Sequence, residues 1–289
     1  MNPYIILQKI VEIGSFTKAA NILGYTQSSL SQTISSLENE LSIKLLSRSR
    51  AGVELTKEGK ELYPYIERSI VQFQIMKEKV NEIKGLGTGT IRIGAIASVT
   101  AYWLPELIRE FQIDFPKVQF ILYQGDYSSI QQWIKEGTVD FGFITPNAVT
   151  KLETVSIKSG EMLAVLPKKH QLATLPQVDL FQISKEPFIL LEEGHYNEPL
   201  NAFQKYELTP NIKYTLHDDY AIMKMVEAGL GISILAKLMV ENAKADIVSI
   251  PITEPIMRKI AIGYKDKDAL PIASKKFIDF IVLKKDELI

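Results

Sequence analysis

The 289-residue sequence contains no cysteine, and this absence excludes several kinds of chemistry. Disulfide bonds, thiol catalysis and cysteine-based zinc sites all need the missing side chain. A chain without cysteine also suits the reducing cytoplasm, which is the location that we expect. Histidine is scarce, since the chain has only three, at positions 170, 195 and 217. They are scattered and lack the spacing of metal ligands on one helix.

Long apolar runs are missing too. No stretch approaches the ~18 uninterrupted apolar residues that a membrane-spanning helix needs. The N-terminal segment of residues 1–16 is too polar for a signal peptide, and its apolar run is too short. We therefore expect no membrane partner.

The motifs of common enzyme sites are also absent. The chain has no P-loop, and no Gly-x-Ser-x-Gly elbow surrounds Ser98. The glycine-rich stretch 85–89 follows a predicted helix and precedes a predicted strand, the reverse of the dinucleotide-binding order. We therefore expect a protein that is not an enzyme, uses no cofactor and binds no metal ion.

Neither sign of charge is in excess, because 33 basic residues stand against 34 acidic ones. The net charge of the chain therefore gives no indication of nucleic-acid binding. The placement of charge is more informative, since Lys44, Arg48 and Arg50 cluster just after residues 26–41. A local basic edge of this kind can contact DNA phosphates, although a solvated charged turn is the simpler alternative.

Residues 15–41 predict two short helices joined by a tight turn. Ser15 can cap the first helix, and Gly24 suits the left-handed conformation at its end. Thr26 can cap the second helix, whose apolar residues recur at three- and four-residue spacing. This apolar stripe consists of Leu30, Ile34, Leu37 and Leu41.

The opposite face of the second helix is short, uncharged and rich in hydrogen-bond donors and acceptors. Such a face can enter the major groove and bond to base edges, so we predict a helix–turn–helix. A bracing helix is expected at residues 2–12 and a wing-like hairpin at residues 43–56. A solvated pair of packed helices is the alternative. The residues predicted to contact DNA are Ser15, Thr17, Lys18, Gln27, Ser28, Ser29, Ser31, Gln32, Ser35, Arg48 and Arg50.

Many residues of this region stand in the order and at the gaps of a known pattern: Gly14-Ser15-Phe16-Thr17, Ala19-Ala20, Leu23, Gln27-Ser28, Ser31, Ile34, Leu37-Glu38, Leu41, Leu45, Arg48, Leu55-Thr56 and Gly59. With these residues the chain resembles the LysR-type transcriptional regulators. It departs from them at Leu46 and Ser47, where the family usually has Phe and then a polar or acidic residue, and at Ser29. The resemblance implies binding to double-stranded promoter DNA, homotetramers built from two dimers, and RNA polymerase as a further candidate partner.

Residues 57–84 predict one long helix, and Pro64 should bend it locally. A seam of residues at alternating four- and three-residue spacing consists of Leu62, Ile66, Ser69, Phe73, Met76, Val80 and Ile83. Such a seam is typical of helices that wrap around each other, so we predict a homodimer through this linker helix. Packing of the helix on its own domain is the alternative. We interpret residues 85–89 as a flexible hinge.

From Thr90 onward, strand and helix patterns alternate. Strands at 90–96, 118–123 and 139–144, with helices at 101–114 and 128–135, predict a βαβαβ unit with a parallel or mostly parallel sheet. Further strands are expected near 161–166, 187–191, 212–216, 231–235, 246–250 and 256–264, and helices near 198–206, 218–228, 236–242 and 272–284.

This second part resembles the LysR effector domain, which is similar to type 2 periplasmic binding proteins. The matching stretches are Ile91 to Gly94, Leu104-Pro105, Phe111, Pro116, Gly137, Val139-Asp140 and Met225 to Ile232. The predicted fold class is α/β, with an all-α winged helix–turn–helix domain, a long linker helix and a two-lobed α/β effector domain. The expected boundaries are 1–58, 59–89 and 90–289, with lobe I at about 90–160 and 265–289 and lobe II at about 161–264.

The carboxyl ends of the predicted strands indicate a small-molecule site in the cleft between the lobes. Ser98 and Thr100 should lie at a helix start, where free N–H groups favour an anion such as a small carboxylate; simple capping is the alternative. Asp218 or Asp219 is expected to cap a helix rather than contact the ligand. The predicted effector-binding residues are Ser98, Val99, Thr100, Gly125, Asp126, Thr145, Pro146, Tyr196 and His217.

Together these patterns predict a DNA-binding transcription regulator that responds to a small-molecule effector. A small-molecule-binding protein, or an enzyme with an appended DNA-binding module, is the alternative. Turnover of a candidate metabolite, rather than binding alone, would favour the enzyme.

Overall fold

The computed structural model describes residues 2–49, 52–83 and 89–288. The chain divides into two compact units, Met1–Lys77 and Glu78–Ile289. Arg50 and residues 85–88 of the predicted hinge lie outside the described residues, whereas Gly89 begins a strand. Within the described ranges, no helix has the length and apolarity that crossing a bilayer requires.

The first unit contains three short helices, a two-stranded hairpin and most of a long helix. Its elements are α1 (Pro3–Ile13), α2 (Phe16–Leu23), α3 (Gln27–Leu41), β1 (Leu46–Ser49), β2 (Gly52–Leu55) and α4 (Lys57–Ile83). Ser15 and Thr26 accept hydrogen bonds from backbone N–H groups at the starts of α2 and α3. Gly24 ends α2 with a φ of 73°. The predicted caps and the hairpin are therefore confirmed.

The core of this unit is formed where α1, α2 and α3 meet under the hairpin. Its buried members are Ile6, Leu7, Ile10, Phe16, Ala19, Ala20, Leu30, Ile34, Leu37, Leu45 and Ile66. Because the apolar stripe of α3 packs into this core, the opposite face of α3 lies at the surface.

The long helix α4 differs from the prediction of a uniform apolar seam along its whole length. Ile66 is buried in the core of its own unit, and Leu62 packs against that core. Further along, Met76 and Val80 are 53% and 43% exposed. The first half of the stripe therefore packs on its own domain, as the alternative held, and only the second half presents apolar side chains at the surface. The helix runs on through Pro64.

The second unit alternates strands and helices along most of its length. Its first half contains β3 (Gly89–Ala95), α5 (Ala97–Tyr102), α6 (Leu104–Asp114), β4 (Val118–Gln124), α7 (Tyr127–Glu136), β5 (Phe141–Ile144), a 3-10 turn (Pro146–Ala148) and β6 (Glu153–Pro167). Its second half contains a 3-10 turn (Gln171–Thr174), α8 (Leu180–Lys185), β7 (Pro187–Leu191), α9 (Glu198–Lys205), β8 (Asn211–Leu216), α10 (Asp219–Glu227), β9 (Ser233–Ala236), α11 (Lys237–Asn242), β10 (Ile247–Ile250), β11 (Ile256–Tyr264) and α12 (Ile272–Lys284).

The main sheet has seven strands in the order β10-β6-β11-β5-β3-β4, and β9 also pairs with β6. The βαβαβ prediction is confirmed, because β4, β3 and β5 are parallel. The other pairs in this sheet are antiparallel. A separate parallel pair joins β7 to β8.

Two lobes with separate cores are connected by β6 and β11. Lobe I contains β3–β5, α5–α7 and α12, and lobe II contains β7–β10 and α8–α11. Ile157 of β6 and Ile260 of β11 lie in the core of lobe I, whereas Met162 and Ile256 of the same strands lie in the core of lobe II. The two strands therefore run through both lobes, and the expected boundary at residue 160 falls inside β6.

Two local expectations need correction. The helix expected at 101–114 is two helices, α5 and α6, which meet at Trp103, with Pro105 in the first turn of α6. The strand expected near 161–166 begins at Glu153, so that a length of 15 residues spans both lobes. The short helix α8 was not predicted.

Candidate functional site

The uncharged face of α3 lies at the surface of the first unit. Gln27, Ser28, Gln32 and Ser35 are exposed, and Ser29 and Ser31 are half-buried. The face begins with local hydrogen bonds, because Thr26 Oγ1 accepts from the Ser29 backbone N–H at 3.2 Å. A slim, exposed and acid-free surface is the form that a base-reading helix requires.

One buried carboxylate ties α3 to the strand of the wing. Glu38, only 6% exposed, accepts the backbone N–H groups of Leu45 at 2.8 Å and Leu46 at 3.1 Å. Lys44 Nζ donates to its other oxygen at 2.7 Å. Burial by itself raises the pKa of Glu38, but the hydrogen bonds from Lys44, Leu46 and Leu45 outweigh it, so the pKa is lowered.

The remaining residues predicted to contact DNA lie on α2 and on the hairpin. Thr17 and Lys18 are exposed in the first turn of α2, while the Ser15 hydroxyl accepts the Lys18 backbone N–H at 3.4 Å. Arg48 stands on β1 opposite Val53, whose backbone N–H donates to the Gly14 carbonyl at 3.0 Å. The hairpin is thereby fastened to the turn between α1 and α2.

The second unit holds a cavity of about 270 Å³ where the two lobes meet. It lies at the carboxyl ends of the parallel strands β3, β4, β7 and β8, where ligands bind in open α/β folds. The lining residues are Ile96, Ala97, Ser98, Gln124, Gly125, Asp126, Leu191, Glu192, Glu193, His217, Asp219 and Arg258. We call this cavity the cleft.

Four of the nine predicted effector residues line the cleft: Ser98, Gly125, Asp126 and His217. The other five occupy other places in the same region. Val99 and Thr145 are buried, and Thr100 Oγ1 donates to the Ile96 carbonyl at 3.1 Å. Pro146 begins a 3-10 turn, and Tyr196 Oη accepts from Asn147 Nδ2 at 3.1 Å. Asp218 caps α10 as expected, through the Ala221 backbone N–H at 2.7 Å, whereas its neighbour Asp219 lines the cleft.

A buried ion pair at the floor of the cleft joins β11 to the loop after β7. The guanidinium of Arg258 pairs through Nη2 with the carboxylate of Glu193, and its Nε donates to Tyr127 Oη at 2.7 Å. Tyr127 Oη in turn donates to Glu198 Oε1 at 3.2 Å. Arg258, Glu193 and Glu198 are only 3%, 6% and 4% exposed. The network therefore links both lobes through charges that water barely reaches.

Burial dominates the ionisation of these acids. Burial raises the pKa of Glu193 to about 8, although the positive charge of Arg258 opposes the shift and Glu198 and Asp219 add to it. Burial also raises the pKa of Asp219, again against Arg258. Three buried carboxylates thus act on one guanidinium through their charges, and Glu193 is paired with it directly.

Several buried polar atoms in and near this network have no hydrogen-bond partner among the described residues. Ser98 Oγ, Glu193 Oε2 and Asp219 Oδ1 belong to residues that line the cleft, and Glu198 Oε2 lies behind them. A buried polar atom without a partner is costly, so each of these atoms would gain from a hydrogen bond to a further molecule.

Polar contacts between the lobes flank the cleft. Ser128 Oγ of α7 lies 2.6 Å from His195 Nδ1 and accepts the His195 backbone N–H at 3.0 Å. The Tyr127 backbone N–H donates to the Glu193 carbonyl at 3.3 Å. Gly194 lies between these contacts with a φ of 86°.

Sequence reasoning missed Arg258, Glu193 and Tyr127. The alternation of Ile256, Arg258 and Ile260 on one face of β11 was a usable signal, because a charge among buried positions needs a partner. Glu193 follows the end of β7, where the same strand-end rule that selected Ser98 applies.

Family models match both units. Residues 2–60 match the model described as "Bacterial regulatory helix-turn-helix protein, lysR family", and residues 84–284 match the "LysR substrate binding domain". The uncharacterized HTH-type transcriptional regulator YvbU of Bacillus subtilis (strain 168) is 28% identical over 277 residues, which cover 95% of this chain and 94% of YvbU.

Solved structures show the same fold. Full-length CbnR complexed with its target DNA has a TM-score of 0.73 at 20% identity, with 96% of each chain covered. The effector-binding domain of QuiR in complex with shikimate has a TM-score of 0.64 at 24% identity, and covers 69% of this chain and 98% of QuiR.

A helix–turn–helix unit followed by a two-lobed cleft unit defines a DNA-binding transcription regulator with an effector domain. The chain belongs to the LysR family of transcriptional regulators. The resemblance and the fold class predicted from the sequence are therefore confirmed.

Proposed function

We propose that this regulator binds promoter DNA with the exposed face of α3, and that a small molecule bound in the cleft controls its activity. The base-reading residues in this proposal are Gln27, Ser28, Ser29, Ser31, Gln32 and Ser35, and Ser15, Thr17, Lys18, Arg48 and Arg50 contact the backbone or an adjacent groove. The observation that carries the proposal is the surface of α3, which is slim and uncharged on a helix whose other face is buried.

The effector part of the proposal rests on the cleft. The cleft has the strand-end position of a ligand site, and Ser98, 2% exposed, carries a hydroxyl with no partner among the described residues. The shikimate complex of QuiR supports a small organic effector. An anion or small carboxylate is the ligand that the sequence pattern predicts, through the helix start after β3.

The proposal also includes a homo-oligomer that works in the cytoplasm. Met76 and Val80 expose apolar surface on α4, as a partner helix would require. We place the functional domains at 1–58, 59–89 and 90–289, with dimers formed through the linker helix and tetramers formed from two dimers. An effector that binds one arrangement of the lobes better than another changes the spacing of the two paired DNA-binding domains.

The function is tested by selecting bound sequences from a random duplex library and measuring their affinities by gel shift. Gln32→Ala should change the preferred base at one position by about 1–3 kcal/mol of discrimination. Gln74→Ala, at another exposed helix position, is the matched control and should leave the preference unchanged. Absence of any preferred duplex for the wild-type protein would refute the assignment.

A further inference from the structure

The acids around the cleft outnumber the bases. Asp126, Glu192, Glu193 and Asp219 all line the cavity, and among the described lining residues only Arg258 has a permanent positive charge. We propose that the effector carries a protonated amine, and that the carboxylates of Glu193 and Asp219 hold this ammonium group. This inference rests on the proposed function, because it concerns the same cleft.

The single arginine does not balance these acids. Its guanidinium is already paired with Glu193 and bonded to Tyr127, and it lies among the carboxylates of Glu193, Glu198 and Asp219. Buried carboxylates without enough cations are unfavourable unless they take up protons, as the raised pKa values of Glu193 and Asp219 indicate, or a further positive charge joins them. A ligand ammonium supplies that charge, whereas a purely anionic ligand would add to the repulsion, so this inference departs from the anion that the sequence pattern predicts.

The unpartnered oxygens match the donors of an ammonium group. Glu193 Oε2 and Asp219 Oδ1 have no partner among the described residues, and the two residues are 94% and 95% buried. Ser98 Oγ, outside the acidic cluster, is a third unpartnered oxygen on a residue of the cleft wall. An ammonium has three N–H donors and no acceptor, so it can satisfy oxygens of this kind without leaving a lone pair buried.

Two comparisons narrow the choice of cation. No group of three or more acidic, histidine or cysteine residues in the described part of the chain is arranged to hold a metal ion. A neighbouring cavity of about 310 Å³ also includes Ser98 and Arg258, but Lys158 and Lys237 there balance Glu161 and Glu241. The excess of acids is therefore a property of the cleft, and it favours an organic cation.

The groups around Glu193 also set the pH dependence of binding. They are Arg258 on β11, Tyr127 on α7, Glu198 on α9 and Asp219 on α10. Since the pKa of Glu193 is about 8, raising the pH from 6.5 to 8.5 increases its ionised fraction. An aliphatic amine stays protonated over this range, because its pKa is near 10. Ammonium binding should therefore strengthen as the pH rises through this window.

The test is a calorimetric and thermal-shift panel on the full-length protein. Its amine arm contains 1,5-diaminopentane, which represents the polyamines, and L-lysine, which represents the amino acids. The matched arm contains 1,5-pentanediol, hexanoate and glutarate, which lack the amine. We expect binding in the amine arm alone. The compound that binds then shows whether the effector is a polyamine or an amino acid.

Variants then locate the ammonium. Asp219→Asn should weaken amine binding at least tenfold and reduce the change between pH 6.5 and 8.5, and Glu193→Gln should abolish most of that change. Asp218→Asn is the matched control, because it removes the same charge one residue away while asparagine still caps α10. It should leave affinity within twofold. Asp219→Asn keeps the test valid if Glu193→Gln does not fold.

Three outcomes would overturn the inference: no amine binds, an amine-free carboxylate binds as tightly, or amine binding survives both substitutions. DNA affinity is measured on the same preparations. This measurement distinguishes failure of the amine inference from failure of the proposed DNA-binding function. Intact sequence-specific DNA binding with no amine response refutes the amine alone.

Discussion

Glu38 on α3 accepts the backbone N–H of Leu45 at 2.8 Å, so that one buried carboxylate joins α3 to the start of the wing. The same carboxylate accepts Leu46 at 3.1 Å. The orientation of the wing relative to α3 therefore depends on a side chain that lies on the buried face of α3.

Glu38→Ala should lower the free energy of unfolding by about 2–4 kcal/mol, because it leaves two backbone donors without an acceptor. Chemical denaturation measures this change. Glu40→Ala, on the exposed face of the same helix, should stay within about 0.5 kcal/mol of wild type. Because the pKa of Glu38 is lowered, its stabilisation should be complete above pH 4.5 and lost as the pH falls through the lowered value. Equal effects of the two substitutions would contradict the role given to Glu38.

The buried acid Glu193 should give the opposite pH dependence. Its folded pKa, about 8, exceeds the ordinary value of 4.5, so the folded state binds a proton that the unfolded state has released. Stability from this group should therefore be complete below pH 4.5, fall as the pH rises towards 8, and level off above it. Denaturation curves across this range check the slope, which should flatten in Glu193→Gln. Identical slopes in both proteins would refute the assignment.

Gly194 should tolerate no side chain. Its φ of 86° is left-handed, and an added Cβ would lie 2.3 Å from Ser128 Oγ in the contact between the lobes. The conformation alone costs an alanine about 1–2 kcal/mol, and the collision adds to it. Gly194→Ala should therefore lower the thermal stability of the effector unit and increase hydrogen exchange at residues 193–196. Gly160→Ala is the control, since a Cβ there meets nothing within 4 Å.

Met76 should lie in the contact between two copies of α4. Its side chain is 53% exposed on the half of the helix that does not pack on its own core. Met76→Glu would place like charges in a paired seam and break the α4 dimer contact, so sedimentation velocity should show a shift from the proposed tetramer to smaller oligomers. Gln74→Glu adds the same charge to a different exposed position and should leave the tetramer intact. A tetramer that is unaffected by Met76→Glu would remove α4 from the interface.

Local patterns predicted much of the fold. The caps at Ser15 and Thr26, the apolar stripe of α3 and the βαβαβ order all follow from interactions between residues close in the chain. Capping and periodicity are local effects, so they can be predicted without knowledge of the partners. Ser98 and Asp126 were found for a similar reason, since strand ends are marked in the sequence.

The rest depended on contacts between distant segments. Arg258 and Glu193 are 65 residues apart, and the local sequence around one residue does not predict its contact with the other. The passage of β6 through both lobes, and the division of α4 into a buried and an exposed half, also follow from packing. Burial decides which charges lose water and which oxygens stay unpartnered. Because desolvation is a property of the assembled lobes, the family could be predicted from the residues in order, whereas the acidity of the cleft emerged only once the chain was folded.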